Sequence, residues 1–385
     1  MYKTSLLEGL SEAQRKAVMH GEGPALVTAG PGSGKTLTIV RRILYLIYEM
    51  GIAADKILVI TYTREAALSM QQKYCQQLRI VDFSKSLSQN NVSFGTFHSY
   101  FYQIIRNNIK YSEYQLITQK EKKKIVCDIL KSAGEAPTDF AVKKFLDQVS
   151  FYKNTGIDKE SSEYTKYYQR YREIMRIFKR LDFDDMLYLC KQEFLENDNL
   201  LISCRKQYDY ILIDEFQDIN PIQYELIFLL TCKYRNLFVV GDDDQAIYGF
   251  RGTDVECFHK FQQDFPDAKL YYLTTNYRCG ENIVKASKRL ISHNKNRMPK
   301  NIMSDIKGKG CGRIYVRESM HVSESYEKLM KHLKTIDITH LNREAILFRT
   351  NASMQSFATT LLNEGIPFVL REKIRSVYEH FIVSD

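Results

Sequence analysis

Along the chain, two periodicities of apolar and polar positions take turns. Six short runs are almost continuously apolar and rich in β-formers: 25–30 (ALVTAG), 57–62 (ILVITY), 91–96 (NVSFGT), 210–215 (YILIDE), 237–242 (LFVVGD) and 270–275 (LYYLTT). Runs without polar alternation suit strands covered on both faces, as in a parallel sheet. Amphipathic stretches lie between them, for example LTIVRRILYLIYEM from Leu37. This alternation predicts a doubly wound α/β fold, in which ligands bind at the carboxyl ends of the strands.

Two departures from that rhythm suggest domain limits. Residues 111–181 show no convincing strand, are rich in Lys and Tyr (KEKKK, EYTKYYQRYREIMRIFKRL) and read as a helical insertion between 1–110 and 182–275 of the first α/β domain. Its charges are expected to be mainly a solvated face, with a track for a nucleic-acid strand as the second reading. A second alternation starts near Asn276, with strands expected at 312–318, 344–350 and 367–372, and ends after the helical start IRSVYEHF. So few strands make 276–385 look like part of a second α/β domain, and the chain is expected to be a piece of a longer protein.

The 385 residues, 44% hydrophobic, allow two or three domains with sizeable cores. The amino-terminal stretch lacks a secretory apolar segment, and no run approaches the roughly 18 apolar residues of a membrane span, so a soluble cytoplasmic protein is expected. The eight cysteines show no CxxC pair or zinc spacing; neither disulfides nor a structural metal are expected. A net charge of +9 favours a polyanionic partner without identifying one.

Chemistry concentrates just after the strands. AGPGSGKT (29–36) stands between a predicted strand and a helix and fits the phosphate-binding loop, with Ala29 where the common form has Gly. Gly30, Gly32, Ser33 and Gly34 let the backbone close round a triphosphate, Lys35 reaches the β and γ phosphates, and Thr36 offers a hydroxyl to Mg2+. In YILIDEFQD, Asp214 ends a buried strand, where a carboxylate is costly without a cation; it is the expected second holder of Mg2+. Glu215 is then placed to deprotonate the attacking water, while Asp218 suits a helix cap. Thr61, Thr63, Thr96 and His98 also end strands and suit contacts to a nucleic-acid backbone, although helix capping explains the threonines equally well. The stretch GDDDQAIYGFRG (241–252) combines three acids that a core would not accept unpaired with two aromatics that a solvated loop would not need.

As a set, these motifs resemble the superfamily 1 DNA helicases of the UvrD, PcrA and Rep type over nearly the whole chain. LSEAQRKAV resembles the family's Q motif, TYTREAALSM and FGTFHSY its strand-contacting motifs, DEFQD its acidic box, GDDDQAIYGFRG its third motif and TTNYRC its fourth. Two departures are Arg64–Glu65 where Asn–Lys is common, and Phe250 where Trp is common. The resemblance implies a RecA-like P-loop NTPase motor domain with a helical insertion, followed by an incomplete second RecA-like domain. It implies that Gln14 reads the adenine edge, that Arg42 and Tyr277 sandwich the base, and that Arg278 reaches the γ-phosphate.

In this frame Gln245 faces the γ-phosphate or its attacking water, Tyr248 and Phe250 lie under a nucleobase, and Arg251 ties the stretch to Glu215 or to the phosphate. ATP and Mg2+ are the expected cofactors. Single-stranded DNA and single/double-strand junctions are the expected partners of a monomer, with other repair or replication proteins as further ones and translocation from 3′ to 5′ implied by the family only. Two other readings stay open: a nucleotide- and DNA-binding piece without productive turnover, and a P-loop phosphotransferase. The second leaves Phe250, His98 and TTNYRC without a role.

Overall fold

The six apolar runs form one parallel sheet. In chain order the strands are β1 (Ala25–Ala29), β2 (Ile57–Thr61), β3 (Ser93–Thr96), the two-residue β4 (Gln115–Leu116) and β5 (Arg180–Leu181), β6 (Tyr210–Ile213), β7 (Leu237–Gly241), β8 (Lys269–Leu273), β9 (Thr275–Gly280) and β10 (Met303–Ile306). The large sheet has the order β3-β2-β6-β7-β1-β8 with every neighbouring pair parallel. This computed structural model describes residues 6–81, 91–155, 162–231, 235–247, 256–295, 297–307 and 313–370.

The absence of polar alternation in the strands has a direct cause. Leu26, Leu58, Ile60, Ile211, Ile213, Leu237 and Val239 face one apolar layer. The residues between them, Ala25, Val27, Ile57, Val59, Tyr210, Leu212, Phe238 and Val240, face the other. Period-2 geometry sends successive side chains to opposite faces, and here both faces are covered by helices. The second layer rests on helices Lys35–Tyr48 and Arg64–Val81; the first is covered by Phe97–Asn107, Phe183–Glu196, Pro221–Thr231 and Glu256–Asp264, among others.

The insertion is helical, built on Gln119–Ser132, Asp139–Thr155 and Ser162–Ile177, with a small core of its own around Val126, Phe145, Val149, Tyr171 and Met175. One strand pair was not expected there: β4 and β5 pair in parallel, Gln115 with Arg180 and Leu116 with Leu181. The pair is too short to leave an apolar period in the sequence. Lys153, buried, donates to Asp182 at 3.0 Å and pairs with Asp185 at 2.7 Å, which fixes the insertion helix Asp139–Thr155 to the start of helix Phe183–Glu196.

The chain divides into two compact units, the first ending at Arg313 and the second beginning at Ile314. The strand pair β9–β10 and helix Glu281–Ile291 belong to the first unit. In the second, helices Val322–Lys334 and Asn351–Asn363 pack through Met330, Leu333, Phe357 and Leu361. The strands expected at 312–318, 344–350 and 367–372 do not form among the described residues of those runs. Ile346, Phe348, Ile366 and Phe368 do lean on the helices. Their alternation reflects that one-sided packing, and no strand forms there among the described residues. No helix among the described residues is long and apolar enough to cross a membrane.

Candidate functional site

Because all six strands of the large sheet run the same way, the segments following β1, β2, β3, β6 and β7 emerge at one edge. A cleft of about 420 Å³ opens there, lined by residues 31–37 together with Lys73, Glu215, Gln245 and Arg278, among others. The floor is the loop from Gly30 to Thr36. Gly32 (φ +68°) and Gly34 (φ +84°) are left-handed, and a Cβ on Gly32 would come within 2.8 Å of Asn276 Oδ1 and Arg278 Cβ. The loop runs into the amino terminus of helix Lys35–Tyr48, where free N–H groups favour an anion.

Lys35 Nζ donates to Glu215 Oε2 at 2.5 Å. Glu215 itself is left-handed (φ 51°), a conformation that costs a non-glycine residue about 1–3 kcal/mol and persists only where surroundings enforce it. They do so here: Glu215 N–H donates to Asp214 Oδ1 at 3.0 Å, and Gln217 Nε2 donates to Glu215 Oε2 at 2.9 Å. Asp214 is buried at the end of β6; burial, and then the Glu215 charge, push its carboxyl up to about 6 against the pull of Lys35. Asp218, pushed up to about 6 by burial and by Glu215, keeps one buried oxygen without a hydrogen-bond partner.

The residues fit the expected cofactors. The glycines form a cradle that a Cβ would fill, and the buried Asp214 carboxyl pairs with no cation by direct salt bridge among the described residues. An oxygen-only donor set from a hydroxyl and a carboxylate is the kind Mg2+ takes.

The third-motif acids answer a question the sequence left open. Asp242, Asp243 and Asp244 are held by Lys300, whose ammonium donates to Asp242 Oδ1 and Asp243 Oδ1 and lies 3.1 Å from Asp244 Oδ2. Arg297 grips Asp244 through two nitrogens, and Met298 N–H donates to Asp243 Oδ2 at 2.6 Å. Burial opposes the charge on Lys300, but Asp242 and Asp243 outweigh it and hold the ammonium above the ordinary lysine value. Gln245 lines the cleft, and its Nε2 donates to Asp242 Oδ2. Tyr248, Phe250 and Arg251 lie outside the described residues.

Other sequence candidates are placed as follows. Ala29 ends β1, buried; Gly30, Gly32, Ser33, Gly34, Lys35 and Thr36 form the loop. The Gln14 amide is used at both ends: Oε1 accepts from Ser11 N–H, and Nε2 donates to Ser33 O at 2.9 Å. Tyr277 is 40% exposed, and its N–H donates to Gly32 O at 3.0 Å. Thr61 Oγ1 donates to Thr63 O, while Thr63 and Thr96 cap the helices that follow them, so the capping role is occupied at both. His98, its pKa lowered by burial, meets Phe183 edge-on at 6.0 Å.

Arg42 is the departure. It is 1% exposed, does not line the cleft, and donates to the carbonyls of Val18, His20 and Gly21. Leu37 lines the cleft instead. The geometry gives Arg42 a task beneath the sheet edge, tying the chain before β1 to helix Lys35–Tyr48, rather than a base-stacking face. Arg42→Ala is therefore expected to lower stability by at least about 2 kcal/mol, since it strands buried carbonyls. A thermal melt checks this; an unchanged melt with a weakened ATP affinity would restore the stacking role.

Sequence reasoning missed three positioning residues. Asn276 Oδ1 accepts from Arg278 N–H and Cys279 N–H at 2.8 and 2.7 Å and so shapes the turn that carries Arg278. Gln217 bridges Glu215 to Asp242 N–H. Lys300 stands in NRMPKN, which reads as surface charge. A run of three acids needing a cation was the available signal for Lys300, but nothing in the sequence pointed to which cation.

Comparison with known proteins fits this geometry. Residues 10–266 match the family model for the UvrD/REP helicase N-terminal domain, and residues 271–378 match that for the UvrD-like helicase C-terminal domain. The chain is similar to the putative ATP-dependent DNA helicase YjcD of Bacillus subtilis, 33% identical over 97% of this chain and 50% of the relative. It is also similar to the ATP-dependent DNA helicase PcrA of Staphylococcus epidermidis (31% identical) and of Staphylococcus aureus (30%), each over 95% of this chain and 51% of the relative. The chain thus spans about half the length of the curated relatives it matches.

Proposed function

This chain belongs to the UvrD/REP helicase family, and on that premise we propose that it hydrolyses ATP to drive movement along single-stranded DNA, as part of a helicase motor. The observation that carries the reading is the joining of Lys35, Glu215, Gln245 and Arg278 round one cleft at the phosphate loop. Those side chains come from four separate segments, which a binding module would have no need to converge.

The division of labour follows from position. Lys35 and the loop N–H groups bind the phosphates, with Thr36 and Asp214 as the residues that would hold Mg2+. When bound, Mg2+ offsets charge on the phosphate oxygens. Glu215 takes the proton from the attacking water, and Gln245 orients it. Arg278 stabilises the charge that develops on the γ-phosphate oxygens. Tyr277 is the adenine platform on this reading, with Gln14 at its edge once it exchanges the Ser33 carbonyl for the base.

On the DNA side, Thr63, Thr96 and His98 lie along the same strand edge, and exposed Phe183 beside His98 adds an aromatic face on which a base can stack. The finer expectations, a preference for single/double-strand junctions, 3′-to-5′ direction and action as a monomer, belong to this proposal. A first test is DNA-stimulated ATPase of the purified chain and its Lys35→Ala variant: a brisk wild-type rate blind to single-stranded DNA would favour a phosphotransferase, and nucleotide binding without turnover would favour the nucleotide- and DNA-binding piece. In the same proposal, Phe250→Ala is expected to weaken single-stranded DNA binding by about 1–3 kcal/mol. The slope of log affinity against log salt should stay nearly constant, because stacking releases no counterions. Fluorescence anisotropy across a salt series reads both quantities, and a lost cooperative melt would instead assign Phe250 to the core.

A further inference from the structure

Lys300 is far in sequence from the phosphate loop, yet a continuous chain of hydrogen bonds joins them. Lys300 Nζ donates to Asp242 Oδ1. Asp242 N–H donates to Gln217 Oε1 at 2.9 Å, Gln217 Nε2 donates to Glu215 Oε2 at 2.9 Å, and the same oxygen accepts from Lys35 Nζ at 2.5 Å. A branch leaves from the other Asp242 oxygen, which accepts from Gln245 Nε2. Every link is buried or half-buried; the side chain of Lys300 is 1% exposed and that of Asp242 fully buried.

Without Lys300 the Asp242 carboxylate would have only Gln245 and Asp244 N–H as donors among the described residues, beside two further acids. It would then be free to move, and its movement would unseat Gln245 from the carboxylate and displace the Asp242 N–H that holds Gln217. The segment that carries Lys300 also touches the loop itself: a Cβ on Gly30 would collide with Ile302 Cδ1. Asn276 and Arg278 crowd Gly32 from the strand paired with β10. The stretch between helix Glu281–Ile291 and β10 thus meets both the acids of 242–244 and the phosphate loop.

We propose that Lys300 is a positioning residue for ATP hydrolysis: by fixing Asp242 it aims Gln245 into the cleft and, through Gln217, holds Glu215 in its left-handed conformation. The proposal rests on the hydrolytic reading above. It differs from simple charge neutralisation, because neutralisation requires only a nearby cation, whereas positioning requires that the loss pass through Gln245 and Glu215.

The test uses the full chain in four forms: Lys300→Met, Lys300→Arg, Gln245→Ala and the double variant Lys300→Met/Gln245→Ala. Two readouts are taken on each: DNA-stimulated kcat and KM for ATP, and the ratio of affinities for ADP with aluminium fluoride and for ADP alone. The ratio needs no turnover. Lys300→Met is expected to lower kcat and the affinity ratio by roughly 10-fold with KM and ADP affinity little changed. Lys300→Arg should recover part of the loss, and the double variant should lose clearly less than the product of the two single losses, as expected for residues that share a network.

Should Lys300→Met not fold, Lys300→Met/Asp243→Asn restores the charge balance while leaving Asp242 without its cation, and the same losses are expected of it. A ratio unmoved in a folded variant, or losses that multiply with Gln245→Ala, overturn this proposal alone. Wild-type chain that binds no nucleotide overturns the hydrolytic reading and this proposal with it.

Discussion

Arg278→Ala is expected to cut ATP hydrolysis by about 10³–10⁵-fold, the range that an arginine on a transferring phosphoryl group supplies. The structure shows why so large an effect can come from one side chain. Arg278 lines the cleft beside the loop, from a turn that the buried Asn276 holds through two N–H groups, and its Cβ is pressed against Gly32. With the backbone and Cβ of Arg278 fixed in this way, its side chain starts from the cleft wall when charge develops on the γ-phosphate oxygens. ADP affinity should change far less than the rate, because the γ-phosphate is absent from ADP. Single-turnover hydrolysis with isothermal titration of ADP separates the two; equal losses in both would make Arg278 a ground-state binder.

Glu215→Gln is expected to lower turnover by about 10²–10⁴-fold, the usual contribution of a general base. The substitution keeps the size of the side chain and the acceptor for Gln217, so the left-handed turn should survive. It removes the negative partner of Lys35, which leaves the ammonium free for phosphate, and nucleotide affinity should hold or rise. Stopped-flow binding of a fluorescent ATP analogue beside a phosphate-release assay decides it. Turnover at the parental rate would require another base, and Asp218, with its unpartnered buried oxygen, would be the residue to examine next.

Glu215 was singled out from its own sequence context and Arg278 only through the family resemblance, whereas the network around them left no sign in the sequence. The loop and DEFQD are local: strand, tight glycines, Lys and Thr must stand in order within a few positions, so their spacing carries the chemistry. The four inner strands were equally legible, since burial on both faces leaves continuous apolar runs; the edge strands β3 and β8 are only partly buried and showed themselves by their β-forming residues. Arg42 shows the limit. It follows Arg41 on an amphipathic helix, and spacing cannot say which of two adjacent arginines turns under the sheet or what its guanidinium finds there. Lys300 and Gln217 depend on contacts between segments far apart, to which no local pattern points. In the second unit the alternation of Ile346 and Phe348 resembles that of a strand, but it reflects packing against helices, and hydrogen-bond partners leave no mark on composition.

The two-residue pairing of β4 with β5 has a consequence for how such a chain can change over time. The backbone leaves the α/β layer and returns to it at neighbouring points, so the layer meets a closed stem whatever lies beyond. Doubling the length of a flexible excursion adds only about 0.6 kcal/mol of closure entropy. Helices beyond the stem are thus open to lengthening, shortening or exchange at little cost to the sheet, provided that Lys153 or an equivalent still meets Asp182. In evolutionary terms the stem is a socket: the cleft stays constant while the part plugged in beside it is free to diversify.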